Sequence, residues 1–202
     1  YFPDPDDHAE KAYEFYKELI SEYGDKICIC ADLLSSLYQE IFLSVGLQNL
    51  AYNIRKNPKF IRNFISRLEE YELKTSMAMM DAGVRILLKG DDYAFGTGAQ
   101  MNPKTFDKFW GSSYTRINKA IHERGGKSFI HSCGDNTELF DYFIKWGFDG
   151  GHAYEPTSSV DMYKEKERHG DKFTIIGAMG IDYMLTKKSK LEEVVDKTKE
   201  LI

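Results

Sequence analysis

Apolar residues recur along the chain with two periods, one typical of helices and one typical of strands. Segments with apolar positions three or four residues apart predict helices. These helices span 5–23, 33–45, 47–55, 58–82, 103–123, 138–146, 160–169 and 191–202. Short apolar runs between them predict strands. These strands span 26–31, 84–88, 127–132, 148–154 and 173–176.

The order of the segments indicates an α/β fold. Strand candidates alternate with helix candidates, each connection carries a glycine or a helix cap, and no antiparallel hairpin is evident. Such alternation is typical of a parallel sheet with helical crossovers. A doubly wound sheet and part of a (β/α)8 barrel both satisfy it.

Residues capable of chemistry lie at or just past the ends of the strand candidates. They are Asp32, Asp91, Asp92, His131, Cys133, Glu155 and Asp182. In a barrel, catalytic groups come from the carboxyl ends of several different strands. This placement favours a (β/α)8 TIM barrel, present here as one incomplete domain over residues 1–202 with about five of the eight strands.

The two chain ends indicate a piece of a longer protein. The chain begins with Tyr1-Phe2-Pro3, without a methionine, and stops at Leu201-Ile202 inside a helical pattern that has no cap. We therefore expect N- and C-terminal portions of the barrel to lie outside this sequence.

Composition narrows the functional classes. The chain has 202 residues, of which 42% are hydrophobic, and a formal net charge of -5 without a long run of either sign. The sequence therefore lacks the clustered basic residues that nucleic-acid binding requires. Because the sequence has no apolar stretch of about 20 residues and no signal segment, we expect a cytoplasmic protein without a membrane role. The 3 cysteines argue against a disulfide scaffold.

His131 and Cys133 form the strongest candidate for a metal site. They end the apolar run 127–132, and residues two apart on a strand point to the same face. Zinc accepts an imidazole nitrogen and a thiolate sulfur together. The spacing alone is also compatible with a hydrogen-bonded core histidine beside an inert thiol.

Acidic residues supply the candidate catalytic groups. Asp91 and Asp92 are adjacent, so they point to opposite sides of an extended backbone, and we select Asp92 for the site and Asp91 for a cap or loop hydrogen bond. Glu155 precedes Pro156, which disfavours helix, and is a candidate metal ligand or acid–base group. Solvated loop acids are the alternative interpretation for all three. His152 lies close to Glu155 in sequence.

Two further motifs favour structural explanations. Cys28 and Cys30 have the spacing of a metal-binding pair, but cysteine is so often buried that core packing is the preferred interpretation. The segment Gly96-Thr97-Gly98 lacks the spacing of a phosphate-binding loop, and its glycines are better explained by loop conformation.

Several sequence blocks resemble the uroporphyrinogen decarboxylase superfamily in order and spacing. They are Asp81-Ala82-Gly83, Gly90-Asp91-Asp92, Met101-Asn102-Pro103-Lys104-Thr105-Phe106, Ile121-His122-Glu123 with Gly126-Lys127, His131-Ser132-Cys133-Gly134, and Gly177-Ala178-Met179-Gly180-Ile181-Asp182. The resemblance is good from Asp81 onward and loose before it. The His-Ser-Cys-Gly block is similar to the corrinoid-linked methyltransferase branch.

The resemblance implies a fold, a cofactor and a partner. Members of that branch are (β/α)8 barrels that bind zinc through a His-x-Cys pair and a further cysteine near the C-terminus. His131 and Cys133 would then be zinc ligands, with the third ligand beyond Ile202. The implied activity is a zinc-dependent transfer of a methyl group between a corrinoid (cobalamin) protein and a thiol or small methylated substrate, in either direction.

Two alternatives remain open from the sequence. Porphyrinogen decarboxylation uses substrate-binding groups on an N-terminal portion that this chain does not contain. The decarboxylase branch also carries a serine in the region that corresponds to Gly90-Asp91-Asp92. This chain has an acidic pair there instead, which would repel a polycarboxylate substrate. A non-catalytic barrel subunit is the alternative from another class.

Overall fold

A computed structural model describes residues 3–33, 36–155, 158–180 and 190–201. The helices are α1 (Pro5–Tyr23), α2 (Leu37–Val45), α3 (Leu47–Lys56), α4 (Pro58–Asp81), α5 (Pro103–Phe106), α6 (Ser112–Glu123), α7 (Phe140–Lys145), α8 (Met162–His169) and α9 (Leu191–Leu201). The strands are β1 (Cys30–Leu33), β2 (Ile86–Gly90), β3 (Ala94–Phe95), β4 (Gly98–Ala99), β5 (Lys127–His131), β6 (Gly150–Tyr154) and β7 (Thr174–Gly177). None of the helices in these ranges combines the length and apolar character needed to cross a membrane.

Within the described residues, five strands form one parallel sheet in the order β1-β2-β5-β6-β7. The strands follow one another in chain order, with helices in the connections. A doubly wound sheet reverses its strand order at a switch point, whereas a barrel does not. The predicted α/β class is therefore confirmed, and the sheet is consistent with part of a (β/α)8 barrel.

The two faces of the sheet have different environments. Leu87 and Ile130 are fully buried on the face that packs against the helices. Lys89 shares this face with Leu87 and forms a buried ion pair with Glu72 of α4, Nζ to Oε1 at 2.5 Å. Since side chains alternate along a strand, His131 belongs to the opposite, inner face.

The first predicted strand begins too early. The backbone N–H groups of Lys26 and Ile27 both donate to the carbonyl of Tyr23, so this segment still turns away from α1. β1 consequently starts at Cys30, and Asp32 lies inside the strand rather than past its end.

The core-packing interpretation of Cys28 and Cys30 is wrong. Both cysteines are exposed, Cys28 before β1 and Cys30 at its start. Cys30 and Asp32 lie on the same face of the sheet as His131, whereas Ala31 between them is fully buried on the face of Leu87.

The absence of an antiparallel hairpin was also predicted wrongly. β3 and β4 pair antiparallel, with Ala94 opposite Ala99 and Phe95 opposite Gly98. Strands of two residues are too short to show an alternating pattern, and the glycines of the turn resemble any loop. This hairpin begins at Ala94, two residues after Asp92, and, as described below, helps to fix the site.

The predicted helix 103–123 is interrupted by a π-helical turn at Asp107–Gly111. Trp146 donates from Nε1 to Asp107 Oδ1 at 2.9 Å. A Cβ on Gly111 would lie 2.7 Å from that Nε1 atom, so the indole occupies the space beside the turn.

Candidate metal site

The register of the parallel sheet positions His131. It is the last residue of β5 and lies opposite Gly90 of β2 and His152 of β6. The backbone ladder continues one step further, because Asp91 N donates to His131 O at 2.8 Å. His131 therefore stands at the carboxyl edge of the sheet, which is the edge where barrel enzymes carry their active sites.

The loop that carries Cys133 is stabilised by hydrogen bonds from the buried side chain of Asn136. The side-chain amide of Asn136 donates to the carbonyl oxygens of Ser132, Cys133 and Gly134 at 2.8, 3.2 and 3.0 Å. Ser132 donates from Oγ to Asn136 Oδ1 at 2.8 Å and accepts from Tyr93 N at 3.0 Å. Asn136 and Ser132 are fully buried, so this loop is tied to the fold on its inner side.

The β3–β4 hairpin closes on the same loop. Gly134 has φ +89°, and a Cβ at this position would lie 2.7 Å from the carbonyl carbon and oxygen of Ala94. Asp135 N donates to Phe95 O at 2.8 Å. Glycine is required here both for its positive φ and for the close approach of another backbone segment.

Asp92 lies in the connection between β2 and β3, beside the loop that carries Cys133. Its backbone N–H donates to Gln39 Oε1 at 3.0 Å, and its Oδ1 atom accepts from Cys133 N at 2.7 Å. The same Oδ1 atom is 3.8 Å from His131 Nε2. The carboxylate is thus oriented by the peptide of a neighbouring candidate ligand.

The structure brings Asp92, His131 and Cys133 together. One ligand atom from each lies within 4.8 Å of the other two, and Cys133 Sγ is 3.4 Å from His131 Nε2. Zinc bonds of about 2.0 Å to nitrogen or oxygen and about 2.3 Å to sulfur would separate tetrahedral ligand atoms by roughly 3.3–3.6 Å. The 3.4 Å between Cys133 Sγ and His131 Nε2 lies in this range, and the 3.8 Å between His131 Nε2 and Asp92 Oδ1 lies just outside it. The donor types suit zinc, and three protein ligands would leave a fourth position for a substrate.

The surroundings of Cys133 disfavour ionisation of its thiol unless a cation is bound nearby. Desolvation, followed by the nearby carboxylates of Asp92 and Glu155, raises the pKa of Cys133 to about 11. A bound divalent cation reverses this balance, because its charge favours the thiolate and compensates the acids.

Glu155 is near the cluster without being one of its three members. It follows β6 directly, and its carboxylate contributes to the raised pKa of Cys133. Its backbone carbonyl accepts from the N–H and the hydroxyl of Ser158, both at 3.0 Å. The candidate residue Asp182 lies outside the described residues.

Asp91 has the capping role expected of it. The carboxylate is fully buried and accepts from the backbone N–H groups of Tyr38 and Gln39, at 3.1 and 2.5 Å, at the start of α2. It also accepts from the hydroxyl of Tyr114. Burial raises the pKa of Asp91 to about 7 despite these hydrogen bonds. Of the two adjacent acids, Asp92 faces the candidate site and Asp91 faces the protein interior.

His152 is the site residue that sequence reasoning missed. Its Nδ1 atom lies 2.8 Å from His131 Nδ1. Burial, and then the charge of His131, lower the pKa of His152, while Asp32 opposes the shift. The sequence suggested His152 as a neighbour of Glu155, whereas the parallel register pairs it with His131.

A comparison with protein-family models identifies the family of the chain. A family model described as uroporphyrinogen decarboxylase (URO-D) matches residues 10–202. The chain belongs to the URO-D family. No curated protein sequence matches this URO-D family chain.

A solved structure with the same fold is a methyltransferase from Methanosarcina mazei, with a TM-score of 0.76 and 17% sequence identity. The match covers 94% of this URO-D family chain and 53% of the other chain, so this chain spans about half the length of that structure. At this identity the likeness establishes the fold.

Proposed function

We propose that the protein is a zinc-dependent methyltransferase, which moves a methyl group between a corrinoid (cobalamin) protein and a thiol or small methylated substrate. The observation that carries the proposal is the convergence of Asp92, His131 and Cys133 at the carboxyl edge of the sheet. The URO-D family assignment and the fold of the solved methyltransferase support it.

In this proposal His131 and Cys133 hold the metal. His131 contributes Nε2, the ring nitrogen that faces Cys133 and Asp92. The third ligand is a cysteine expected beyond residue 202, and Asp92 is close enough to supply an oxygen donor in its place. Zinc, when bound, lowers the pKa of a coordinated thiol or polarises the heteroatom of a methyl donor.

Asp92 and Glu155 are the proposed catalytic carboxylates. The hydrogen bond from Cys133 N fixes one oxygen of Asp92 beside the cluster, and Glu155 acts electrostatically on the same thiol. A carboxylate near a thiol can accept the proton that the thiol releases when it binds the metal. His131 and Asp92 are 30% and 32% exposed, so the cluster is open to an incoming substrate.

The experiment uses the protein at its full natural length, with zinc, free methylcobalamin and a panel of small thiols. Loss of the cobalt–methyl absorbance reports demethylation. His131→Ala and Cys133→Ala should lower the rate by at least about 100-fold, because a metal of this kind contributes several kcal/mol. Cys28→Ser is the matched control, since Cys28 is exposed outside the cluster.

Equal rates in the wild-type protein and both alanine variants would contradict the proposal. A wild-type protein that binds no zinc and leaves methylcobalamin intact would favour the non-catalytic barrel subunit. Release of carbon dioxide from a porphyrinogen would favour decarboxylation. The charge argument against decarboxylation is weaker than the sequence indicated, because Asp91 is buried and Asp92 alone of the pair faces the site.

A further inference from the structure

His131 makes contacts with both of its ring nitrogens. Nε2 lies 3.4 Å from Cys133 Sγ and 3.8 Å from Asp92 Oδ1, which is the side of the candidate metal. Nδ1 lies 2.8 Å from Nδ1 of His152. The two nitrogens of an imidazole point away from each other, so His152 stands behind His131 as seen from the cluster.

The contact between the two histidines requires one shared proton. Two bare nitrogens at 2.8 Å would repel each other, and two protonated nitrogens would do the same. A nitrogen that binds a metal must be unprotonated, so Nε2 of His131 carries no proton in a metal complex. The proton therefore belongs to Nδ1 of His131, and His152 accepts it through Nδ1 while keeping its own proton on Nε2.

The backbone fixes His152 in this position. It pairs with His131 in the register of β5 and β6 and with Ile176 in the register of β6 and β7. Its carbonyl accepts from Ser132 N at 2.9 Å, which continues the ladder into the loop that carries Cys133. An acceptor held by two neighbouring strands can fix the orientation of a ring on the strand beside it.

We infer that His152 is a positioning residue, which selects the Nδ1–H tautomer of His131 and directs Nε2 toward the metal. Partners of this kind typically change metal affinity about 10–100-fold when they are removed. The inference deepens the proposed function and rests on it for the identity of the metal. Without metal, the Cys133 thiol can donate to Nε2 of His131 across 3.4 Å, which leaves the ring proton on Nδ1, so the same tautomer is expected and can be measured in the metal-free protein.

The first experiment records long-range ¹H–¹⁵N spectra of the histidine rings in the metal-free protein. His131→Ala and His152→Leu assign the two rings. We expect His131 as the Nδ1–H tautomer, the minor form of a free imidazole side chain, and His152 as the Nε2–H tautomer. His152→Leu should remove the preference of His131. Finding His131 as the Nε2–H tautomer, or unchanged in His152→Leu, would overturn the inference.

The second experiment measures zinc affinity by competition with a chelator. His152→Leu should weaken zinc binding about 10–100-fold at unchanged stoichiometry. His152→Asn, whose Oδ1 atom can accept near the position of Nδ1, should remain within about threefold of the wild type. His8→Leu is the control, because His8 stacks on Tyr71, away from the cluster.

The outcomes separate the inference from the proposed function. Equal losses in His152→Leu and His152→Asn would mean that His152 binds the metal directly, which contradicts a positioning role. Wild-type affinity in both variants would also contradict it. A protein that shows the expected tautomers but binds no zinc would refute the proposed function and leave the positioning of His131 standing.

Discussion

Gly134→Ala is the perturbation whose effect the structure determines most directly. Gly134 follows Cys133, has φ +89°, and faces the backbone of the β3–β4 hairpin. An added methyl group would lie 2.7 Å from Ala94 O and from Phe95 O. The hairpin or the Cys133 loop must move to accommodate it.

The expected cost has two contributions. A positive φ costs an L-residue about 1–2 kcal/mol. Relief of the contact with the hairpin backbone costs about 1–3 kcal/mol more, as for other overpacked positions. We therefore expect Gly134→Ala to lower the free energy of unfolding by about 2–5 kcal/mol, a large share of the about 5–15 kcal/mol of a typical protein.

Two glycines of the neighbouring hairpin provide matched controls. Gly98 has a positive φ of +129°, whereas φ of Gly96 lies outside the left-handed region. At both positions an added Cβ would have no atom within 4 Å. Gly98→Ala should thus show the conformational cost alone, about 1–3 kcal/mol, and Gly96→Ala a change within about 0.5 kcal/mol.

Urea denaturation followed by far-ultraviolet circular dichroism measures all three variants. The predicted order of destabilisation is Gly134→Ala, then Gly98→Ala, then Gly96→Ala. Zinc affinity should fall in Gly134→Ala and stay unchanged in Gly96→Ala, because Gly134 holds the loop of Cys133. Equal stabilities of Gly134→Ala and Gly96→Ala would refute the argument that the hairpin backbone approaches Gly134 too closely for a side chain.

Three further substitutions test the hydrogen-bond and ion-pair networks. Asp91→Ala removes the cap of α2 and should cost about 2–4 kcal/mol in urea denaturation; a cost below about 0.5 kcal/mol would contradict the capping role. Glu72→Gln leaves the charge of Lys89 buried without its counterion and should cost about 3–5 kcal/mol, measured in the same way; wild-type stability would argue against the buried pair. Burial favours a raised pKa for Asp149, but hydrogen bonds from Lys127, a backbone N–H and His122 hold the pKa below its ordinary value. The ionised Asp149 carboxylate therefore stabilises the fold above its ordinary pKa, and this stabilisation is lost as pH falls through the lowered pKa of the folded protein. Asp149→Asn should consequently lose less stability than the wild type between pH 6 and pH 3. Identical pH profiles of stability would contradict this expectation.

Much of the fold follows from local patterns in the sequence. α1 was predicted from Asp4, Pro5 and Gly24, and the structure has Asp4 as the cap, Pro5 in the first turn and the helix end at Tyr23. His131 and Cys133 were expected at the end of a strand, and β5 does end at His131. The opposite directions of Asp91 and Asp92 followed from their adjacency. Each of these features depends on residues close together in the chain.

The features that the sequence did not predict depend on distant residues. The contact of His131 with His152 follows from the register of two strands that are joined through α7. The π-helical turn is contacted by Trp146, which packs beside Gly111 and donates to Asp107 from the end of another helix. Neither relation leaves a periodic signal, because the partners are separated by a whole connecting segment.

Zinc content of the protein at its full natural length tests the central claim most directly. The account predicts one zinc ion for each wild-type chain and for each Cys28→Ser chain, with loss of zinc from His131→Ala and Cys133→Ala at unchanged circular dichroism. Wild-type protein without stoichiometric zinc, or zinc retained in both alanine variants, would contradict the account.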